Sequence, residues 1–160
     1  TGVLYAWGTN SNGQLGLGDQ DERLTPTAVT AFSGKSVIDV SSGTSFTLVL
    51  TGDGKVWGFG SNTDGQLGAP DALEDDGTPA RRSVTPVLVD GLPDDIVSVT
   101  ADTKTSYAIT SDGRVYGWGE SRYGQLLQGT DNGDGTFVED PADVLVPIEL
   151  TALPPKVIDV

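Results

Sequence analysis

Short apolar runs alternate with turns rich in glycine and aspartate along the chain. Two clear runs are Phe46–Leu50 and Ser106–Ile109, five and four residues long. They consist mainly of β-branched, aliphatic and aromatic residues, a composition that favours strands. Asp53-Gly54 and Asp112-Gly113 follow these runs, and Asp-Gly tolerates the positive φ that tight hairpin turns need. The pattern predicts antiparallel hairpins.

An aromatic and glycine-rich strand followed by a Gly-Gln-Leu turn occurs three times. The equivalent aromatic residues Trp7, Phe59 and Trp118 are 52 and 59 residues apart. The three turns keep these offsets and are Gly13-Gln14-Leu15, Gly65-Gln66-Leu67 and Gly124-Gln125-Leu126. A long fixed period indicates a repeat architecture, and four short strands in about 50 to 60 residues are typical of a β-propeller blade. We therefore expect the three aromatic residues to pack between blades.

The other recurring blocks define the units. Pro26, Pro86 and Pro147 lie in a third block, and we place them on edge strands, where a missing N–H is tolerated. The predicted units are residues 1–36, 37–95, 96–156 and the start of a further unit at 157–160, with insertions at 69–83 and 128–143. Insertions in repeat proteins fall on one face, which is often the binding face.

The order of these blocks carries a specific resemblance. The stretch VIDVSSGTSFTLVLTGDGKVWGFGSNTDGQLG, followed by TPVLV, resembles the regulator of chromosome condensation repeat family. The resemblance implies an all-β propeller segment of about three four-stranded blades, part of a ring of about seven. One departure is Leu127, which stands where the first two Gly-Gln-Leu turns end in Gly16 and Gly68.

Aligning the two ends of the chain with the repeat indicates whether copies of this chain could close a propeller ring. Thr1-Gly2 aligns with Asp112-Gly113 and Val160 aligns with Val40, so joining the end to the start omits the 12 residues equivalent to 41–52. A ring of such chains would lack one strand at every joint and expose strand edges. We therefore expect further blades, in the same chain or another, to complete the propeller.

Composition narrows the function classes. The formal net charge of −14 and the sequence pI near 4.1 disfavour nucleic acid as a partner. The chain has no histidine and no cysteine, which removes the commonest general base and the usual nucleophilic dyads and triads. No apolar run is long enough to span a bilayer. The sequence predicts a protein without catalytic residues.

The acidic stretch 130–140 is the main candidate for a metal site. Its oxygen-bearing side chains around Gly133 and Gly135 suit calcium, with Asp131, Asn132, Asp134 and Asp140 as the ligands. Thr130 stands where the first carboxylate of a calcium loop would be, and Pro141 stands at the twelfth position. These departures favour a solvated acidic turn, with calcium as the alternative and no other cofactor predicted.

Arginine and exposed aromatic residues supply the predicted contacts with a protein partner. Both residue types are enriched at interface hot spots, and the candidates are Trp57, Arg81, Arg82, Arg122 and Tyr123. The alternative for the paired arginines is that they neutralise the acids just before them. Trp57 aligns with Tyr5 and Tyr116, so we expect it on the opposite side of its strand from the packed aromatic position.

The favoured function is a non-catalytic protein-interaction or scaffold module. Its acidity and lack of cysteine and methionine are compatible with an extracellular or cell-surface protein. The resemblance implies two alternatives, a guanine nucleotide exchange factor for a small GTPase and a proteinaceous enzyme inhibitor. An exchange factor needs a positioned acidic loop, whereas an inhibitor should depend on aromatic and arginine anchors.

Overall fold

The computed structural model describes residues 2–69, 80–131, 137, 138, 143–153 and 157–159. Apart from a 3₁₀ turn at Thr30–Phe32, the regular structure in these residues is β-strand. The strands are β1 (Tyr5–Gly8), β2 (Arg23–Ala28), β3 (Val37–Ser42), β4 (Phe46–Thr51), β5 (Val56–Ser61), β6 (Arg82–Leu88), β7 (Ile96–Ala101), β8 (Thr105–Thr110), β9 (Val115–Gly119), β10 (Thr130–Asp131), β11 (Phe137–Val138) and β12 (Val144–Glu149). Among the described residues, no helix has the length and hydropathy needed to cross a bilayer.

The strands form repeated antiparallel sheets. The second blade has the order β3-β4-β5-β6, and the third has β7-β8-β9-β12, with the short hairpin β10-β11 inserted before its last strand. Strands β1 and β2 pair as β5 and β6 do, so they form the outer half of a first blade. The proline-bearing strands β2, β6 and β12 all lie at sheet edges, as predicted. The predicted all-β fold is confirmed.

The inner strands of neighbouring blades are joined by side-chain hydrogen bonds. Asp39 on β3 accepts hydrogen bonds through Oδ2 from the Ser98 hydroxyl at 3.1 Å and the Val99 backbone N–H at 3.0 Å. Ser41 Oγ accepts another from the Ala101 N–H at 2.9 Å. Two blades are thereby fixed in register along β3 and β7.

The hairpin turns share one carboxylate geometry. The Thr51 hydroxyl donates to Asp53 Oδ1 at 2.6 Å, and the Thr110 hydroxyl donates to Asp112 Oδ1 at 2.5 Å. These hydrogen bonds hold the pKa of each aspartate below its ordinary value, with Arg114 adding to the effect at Asp112. Gly54 and Gly113 adopt φ of 76° and 86°, as predicted for Asp-Gly hairpins.

These lowered pKa values predict an acid-sensitive contribution to stability. A carboxylate whose pKa is lower in the folded state stabilises the fold at pH above its unfolded pKa. That contribution is lost as the pH falls from about 4 through the lower folded pKa. A double Asp53→Asn and Asp112→Asn variant keeps oxygen acceptors that do not titrate. Urea unfolding between about pH 5 and pH 2 should show a shallower loss of stability in this variant than in the native chain. Parallel curves would contradict the assignment.

The core lies between blades. One buried cluster joins the second and third blades, and a second joins the first and second. The largest buried side chains at the first of these joints are Trp118, Phe46, Leu48, Leu50 and Leu67, each at most 1% exposed. Burying one such side chain contributes about 1.5–3 kcal/mol, so the stability of each blade depends on its neighbour.

The expectation that all three repeated aromatic residues pack between blades needs correction. Phe59 and Trp118 are buried between blades, but Trp7 is 60% exposed because the described residues provide no turn against which it packs.

Among the strand glycines, Gly60 and Gly119 allow a close approach of backbone, since a β-carbon would lie 2.5 Å from the Ser45 carbonyl oxygen at Gly60 and 2.4 Å from the Lys104 carbonyl oxygen at Gly119. At Gly58 the nearest neighbour is a side chain. A β-carbon at Gly58 would lie 3.2 Å from the side chain of Leu67, so this glycine accommodates the leucine of its own blade's turn.

Candidate functional site

The Gly-Gln-Leu turn couples each blade to the next one. The backbone carbonyl of Gln66 accepts hydrogen bonds from the Ser106 hydroxyl at 2.7 Å and the Trp118 indole Nε1 at 2.9 Å. At the preceding joint the carbonyl of Gln14 accepts one from the Thr47 hydroxyl at 3.0 Å. Since Thr47 and Ser106 are equivalent residues, the same contact occurs at both joints.

The glutamine side chain of each turn fixes the loop that precedes it. Gln14, Gln66 and Gln125 each accept, through Oε1, the backbone N–H two residues earlier, at 2.8 to 2.9 Å. The three turns therefore share one backbone while presenting different side chains. The presented pairs are Ser11-Asn12, Thr63-Asp64 and Arg122-Tyr123.

An asparagine at the end of the aromatic strand anchors two of the turns. Asn62 accepts the Leu67 N–H at 3.0 Å and donates to the Ala80 carbonyl at 2.9 Å. Asn10 makes the equivalent hydrogen bond to the Leu15 N–H at 3.0 Å. In the third blade this position is Ser121, a buried hydroxyl without a hydrogen-bond partner among the described residues.

Asn62→Ser is expected to lower the free energy of unfolding by about 1–2 kcal/mol, because it removes two hydrogen bonds and leaves their partners unpaired. Urea unfolding measures the difference. Asn12→Ser is the control, since the Asn12 side chain makes no hydrogen bond to the described residues, and its effect should stay within about 0.5 kcal/mol. Equal effects of the two substitutions would show that the asparagine does not anchor the turn.

An ion-pair network lies between the second and third blades, at the end of the strands where the Gly-Gln-Leu turns begin. We call this end, which carries Asp64, Lys104, Glu120, Arg122 and Tyr123, the loop face. Asp64 has a side chain only 7% exposed and lies 3.2 Å from Lys104 Nζ and 4.0 Å from Arg122. Lys104 is also 3.8 Å from Glu120, and Arg122 is 3.3 Å from Asp143. The hydrogen bond to Asp64 raises the pKa of Lys104, while Asp143 raises that of Arg122. The network holds the loop residues in fixed positions.

The predicted partner residues fall into two groups. Arg82, Arg122 and Tyr123 lie on loops or strand ends at the loop face, with Arg82 Nη1 donating to the Ser11 carbonyl at 3.4 Å. Tyr123 is 79% exposed. Arg81 immediately precedes β6 on the same side and makes its own contacts.

Trp57 lies at a different place from Tyr123, and the expectation that it faces away from the packed aromatic position is wrong. Residues two apart on a strand share a face, and Trp57 packs with Phe59 around Phe32. The Trp57 ring packs edge-on against Phe32 at 6.3 Å, with Lys35 Nζ 4.9 Å from its centroid, and its indole donates to the Thr51 hydroxyl at 3.1 Å. These partners lie near the hairpin turns, at the opposite end of the strands from Tyr123. The structure therefore does not bring Trp57 together with the other predicted residues.

The acidic calcium candidate lies almost entirely outside the described residues. Asp131 belongs to β10, but its side chain is not described, and Asn132, Asp134 and Asp140 fall in undescribed segments. Within the part of the chain that the structure describes, no group of three acidic residues is positioned to hold a metal ion. Calcium binding at 130–140 stays a prediction.

Sequence reasoning missed Asp64, Lys104 and Glu120. These charged residues are far apart in sequence and meet because strands β5, β8 and β9 place their ends at one face. The available signal was positional, since Asp64 and Tyr123 occupy equivalent places just before the turn glycine.

Comparison with known proteins places this architecture in a family. The model of the regulator of chromosome condensation (RCC1) repeat matches residues 1–50, 53–109 and 112–160. The chain is 38% identical over 133 residues to the human E3 ubiquitin-protein ligase HERC2, covering 81% of this chain and 3% of HERC2. It is 37% identical over 118 residues to the secretion-regulating guanine nucleotide exchange factor of Bos taurus, covering 74% of this chain and 24% of that relative.

A solved structure agrees with the fold. Prp20p from Saccharomyces cerevisiae, described with its binding properties to Gsp1p and histones, superposes with a TM-score of 0.73 at 24% identity, over 92% of this chain and 34% of Prp20p. This chain thus spans about a third or less of each protein compared. Together, the repeated blades, the matched repeat models and these relatives show that the chain belongs to the regulator of chromosome condensation (RCC1) repeat family.

Proposed function

We propose that the chain is a non-catalytic protein-interaction module, completed by further blades, that contacts its partner through the loop face. The observation that carries this proposal is the exposed Tyr123 beside an arginine held by ion pairs. The backbone N–H of Tyr123 donates to Gln125 Oε1 at 2.8 Å, while 79% of the residue remains exposed. Because the backbone at Tyr123 is already held by this hydrogen bond, binding does not have to order it, which favours affinity.

Arg122 strengthens the same surface. Its guanidinium is 3.3 Å from Asp143 and 4.0 Å from Asp64, yet more than half of its side chain is exposed. Arginine and tyrosine are both enriched at interface hot spots, and the exposed tyrosine supplies apolar area beside the guanidinium. The three Gly-Gln-Leu turns share one backbone arrangement, while the two residues before each turn differ.

The net charge of −14 indicates the type of partner. A strongly acidic protein attracts basic polypeptides and accelerates their association at low salt. Prp20p, the similar solved protein, is named with both Gsp1p and histones. We therefore favour a protein partner with a basic contact surface. The extracellular location suggested by composition stays a prediction.

The proposal is tested with purified histones and purified Gsp1p as probes in calorimetric titrations at two salt concentrations. Binding that weakens with salt, and that weakens further by more than about 1 kcal/mol in Tyr123→Ala, supports the loop face. Tyr5→Ala is the matched control, since Tyr5 is 51% exposed but lies in strand β1. Equal losses from the two tyrosine substitutions would reject Tyr123 as an anchor.

A guanine nucleotide exchange factor is the second candidate, because one relative carries that name. This chain covers only 24% of that relative, so the activity is a separate proposal. Nucleotide release from Gsp1p in the presence of the chain measures it. Release at the uncatalysed rate, with binding intact, would leave the interaction module and remove the exchange factor.

A further inference from the structure

Both internal blade joints use the same pair of contacts. At the first joint, Phe59 packs on Gly16, where a β-carbon would lie 2.9 Å from two ring carbons. Val84 packs on Gly13, where a β-carbon would lie 2.7 Å from the Val84 Cα. An aromatic ring and an apolar side chain of one blade therefore occupy the space left by two glycines of the preceding turn.

The second joint repeats this arrangement. A β-carbon at Gly68 would lie 2.9 Å from Trp118 Nε1, and one at Gly65 would lie 2.7 Å from Leu145 Cδ2. Strand pairing shows that Val84 and Leu145 are equivalent residues, as are Phe59 and Trp118. At each joint, therefore, a blade with an aromatic and an apolar residue at these positions packs on a turn with glycine at both positions.

The first blade carries both of the residues that pack on a turn at the other two joints, and both are exposed. Trp7 occupies the aromatic position and is 60% exposed, and Leu24 occupies the apolar position and is 87% exposed. By the geometry of the two internal joints, the face that carries Trp7 and Leu24 fits a turn with glycine at both positions and a free carbonyl for the Trp7 indole.

The third turn has only one of the two glycines on which a blade packs at the other two joints. No atom of the described part of the chain lies within 4 Å of a β-carbon position at Gly124, so this side of the turn is open to those residues. The second glycine is replaced by Leu127, at φ 56° and 44% exposed. Among the described residues it is the one non-glycine with positive φ, a conformation that is costly for a bulky side chain. The leucine side chain starts where an aromatic ring would lie if the joint matched the other two.

We propose that Leu127 is a selectivity residue for blade assembly: it excludes from the third turn any blade with an aromatic ring at the position of Phe59 and Trp118, including the Trp7 face of a second copy of this chain. The blade that packs there carries a smaller side chain at that position. Head-to-tail association of copies is thereby disfavoured, although Gly124 and Leu24 are complementary. This inference rests on the proposed completion by further blades.

The test is the self-association of the chain, measured by sedimentation equilibrium. Leu127→Gly should associate with itself about tenfold or more tightly than the native chain, because the over-packing at this position is removed. Adding Trp7→Ala to Leu127→Gly should return the dissociation constant to the native value. Leu127→Gly also removes backbone strain, so its unfolding midpoint should not fall.

Leu127→Asn is the matched control. Asparagine tolerates this backbone conformation but keeps a side chain, so it relieves strain without opening the turn, and it should associate as the native chain does. The proposal is overturned if Leu127→Gly associates no more tightly than the native chain, if Leu127→Asn associates as tightly as Leu127→Gly, or if Trp7→Ala has no effect on the glycine variant. None of these outcomes bears on binding of a partner at Tyr123, so the two proposals fail separately.

Discussion

Replacing Trp118 with alanine is expected to lower the free energy of unfolding by about 3–5 kcal/mol. Trp118 is fully buried between the second and third blades and donates its indole N–H to the Gln66 carbonyl at 2.9 Å. The substitution leaves a large cavity at the joint and removes this hydrogen bond. Small domains are stable by about 5–15 kcal/mol, so the loss should be a large fraction of the total. Equilibrium urea unfolding measures it.

Two controls make this prediction specific to the joint. Trp7→Ala changes the equivalent residue of the first blade, which is 60% exposed, and should cost much less than Trp118→Ala. Trp118→Phe introduces the residue type found at the equivalent position, Phe59. It should lower the free energy of unfolding by only about 1 kcal/mol, because it removes the indole hydrogen bond but keeps most of the buried area. If Trp7→Ala and Trp118→Ala destabilise equally, the described packing between blades is wrong.

Gly68→Ala is expected to cost about 2–4 kcal/mol, although it adds only a methyl group. The substitution combines a φ of 59°, which alanine tolerates poorly, with over-packing against Val89 and Trp118 at 2.8 and 2.9 Å. Gly91→Ala separates the two effects. Gly91 has φ of 75°, but no atom of the residues that the structure describes lies within 4 Å of a β-carbon position, so this variant should show only the backbone cost of about 1 kcal/mol.

Thermal and urea unfolding of the two alanine variants give the difference directly. A larger loss in Gly68→Ala than in Gly91→Ala assigns the excess to the contact between the turn and the next blade. A loss no larger than that of Gly91→Ala would mean that the turn can move away from Trp118 without penalty. The repeated glycine would then serve the turn conformation alone.

The sequence predicted the strands and turns well because their signals are local. Asp53-Gly54 requires a positive φ, and Pro86 requires an edge position, and both occur in the structure. Repetition extended these local signals to whole blades. It also identified Phe59 and Trp118 as packed residues without any knowledge of their partners.

The same reasoning failed where the environment depends on a neighbouring blade. Trp7 lies in a local sequence similar to that of Trp118, but nothing in the described residues covers it, so equivalent motifs have different exposure. The network at Asp64 was invisible for a related reason, since its partners Lys104 and Arg122 are brought together only by the stacking of two sheets. Predictions about contacts across a joint need the geometry of both blades.

Exchange of the three tryptophan indole protons with deuterium tests most directly the claim that each turn fixes the next blade. In a ¹⁵N-labelled chain, with resonances assigned by single Trp→Phe variants, the Nε1–H of Trp118 should exchange only through large-scale unfolding, because it is buried and bonded to the Gln66 carbonyl. The Nε1–H of Trp7 should exchange fast, and that of Trp57, half-buried and bonded to Thr51, should lie between them. Exchange of Trp118 as fast as that of Trp7 would contradict the account.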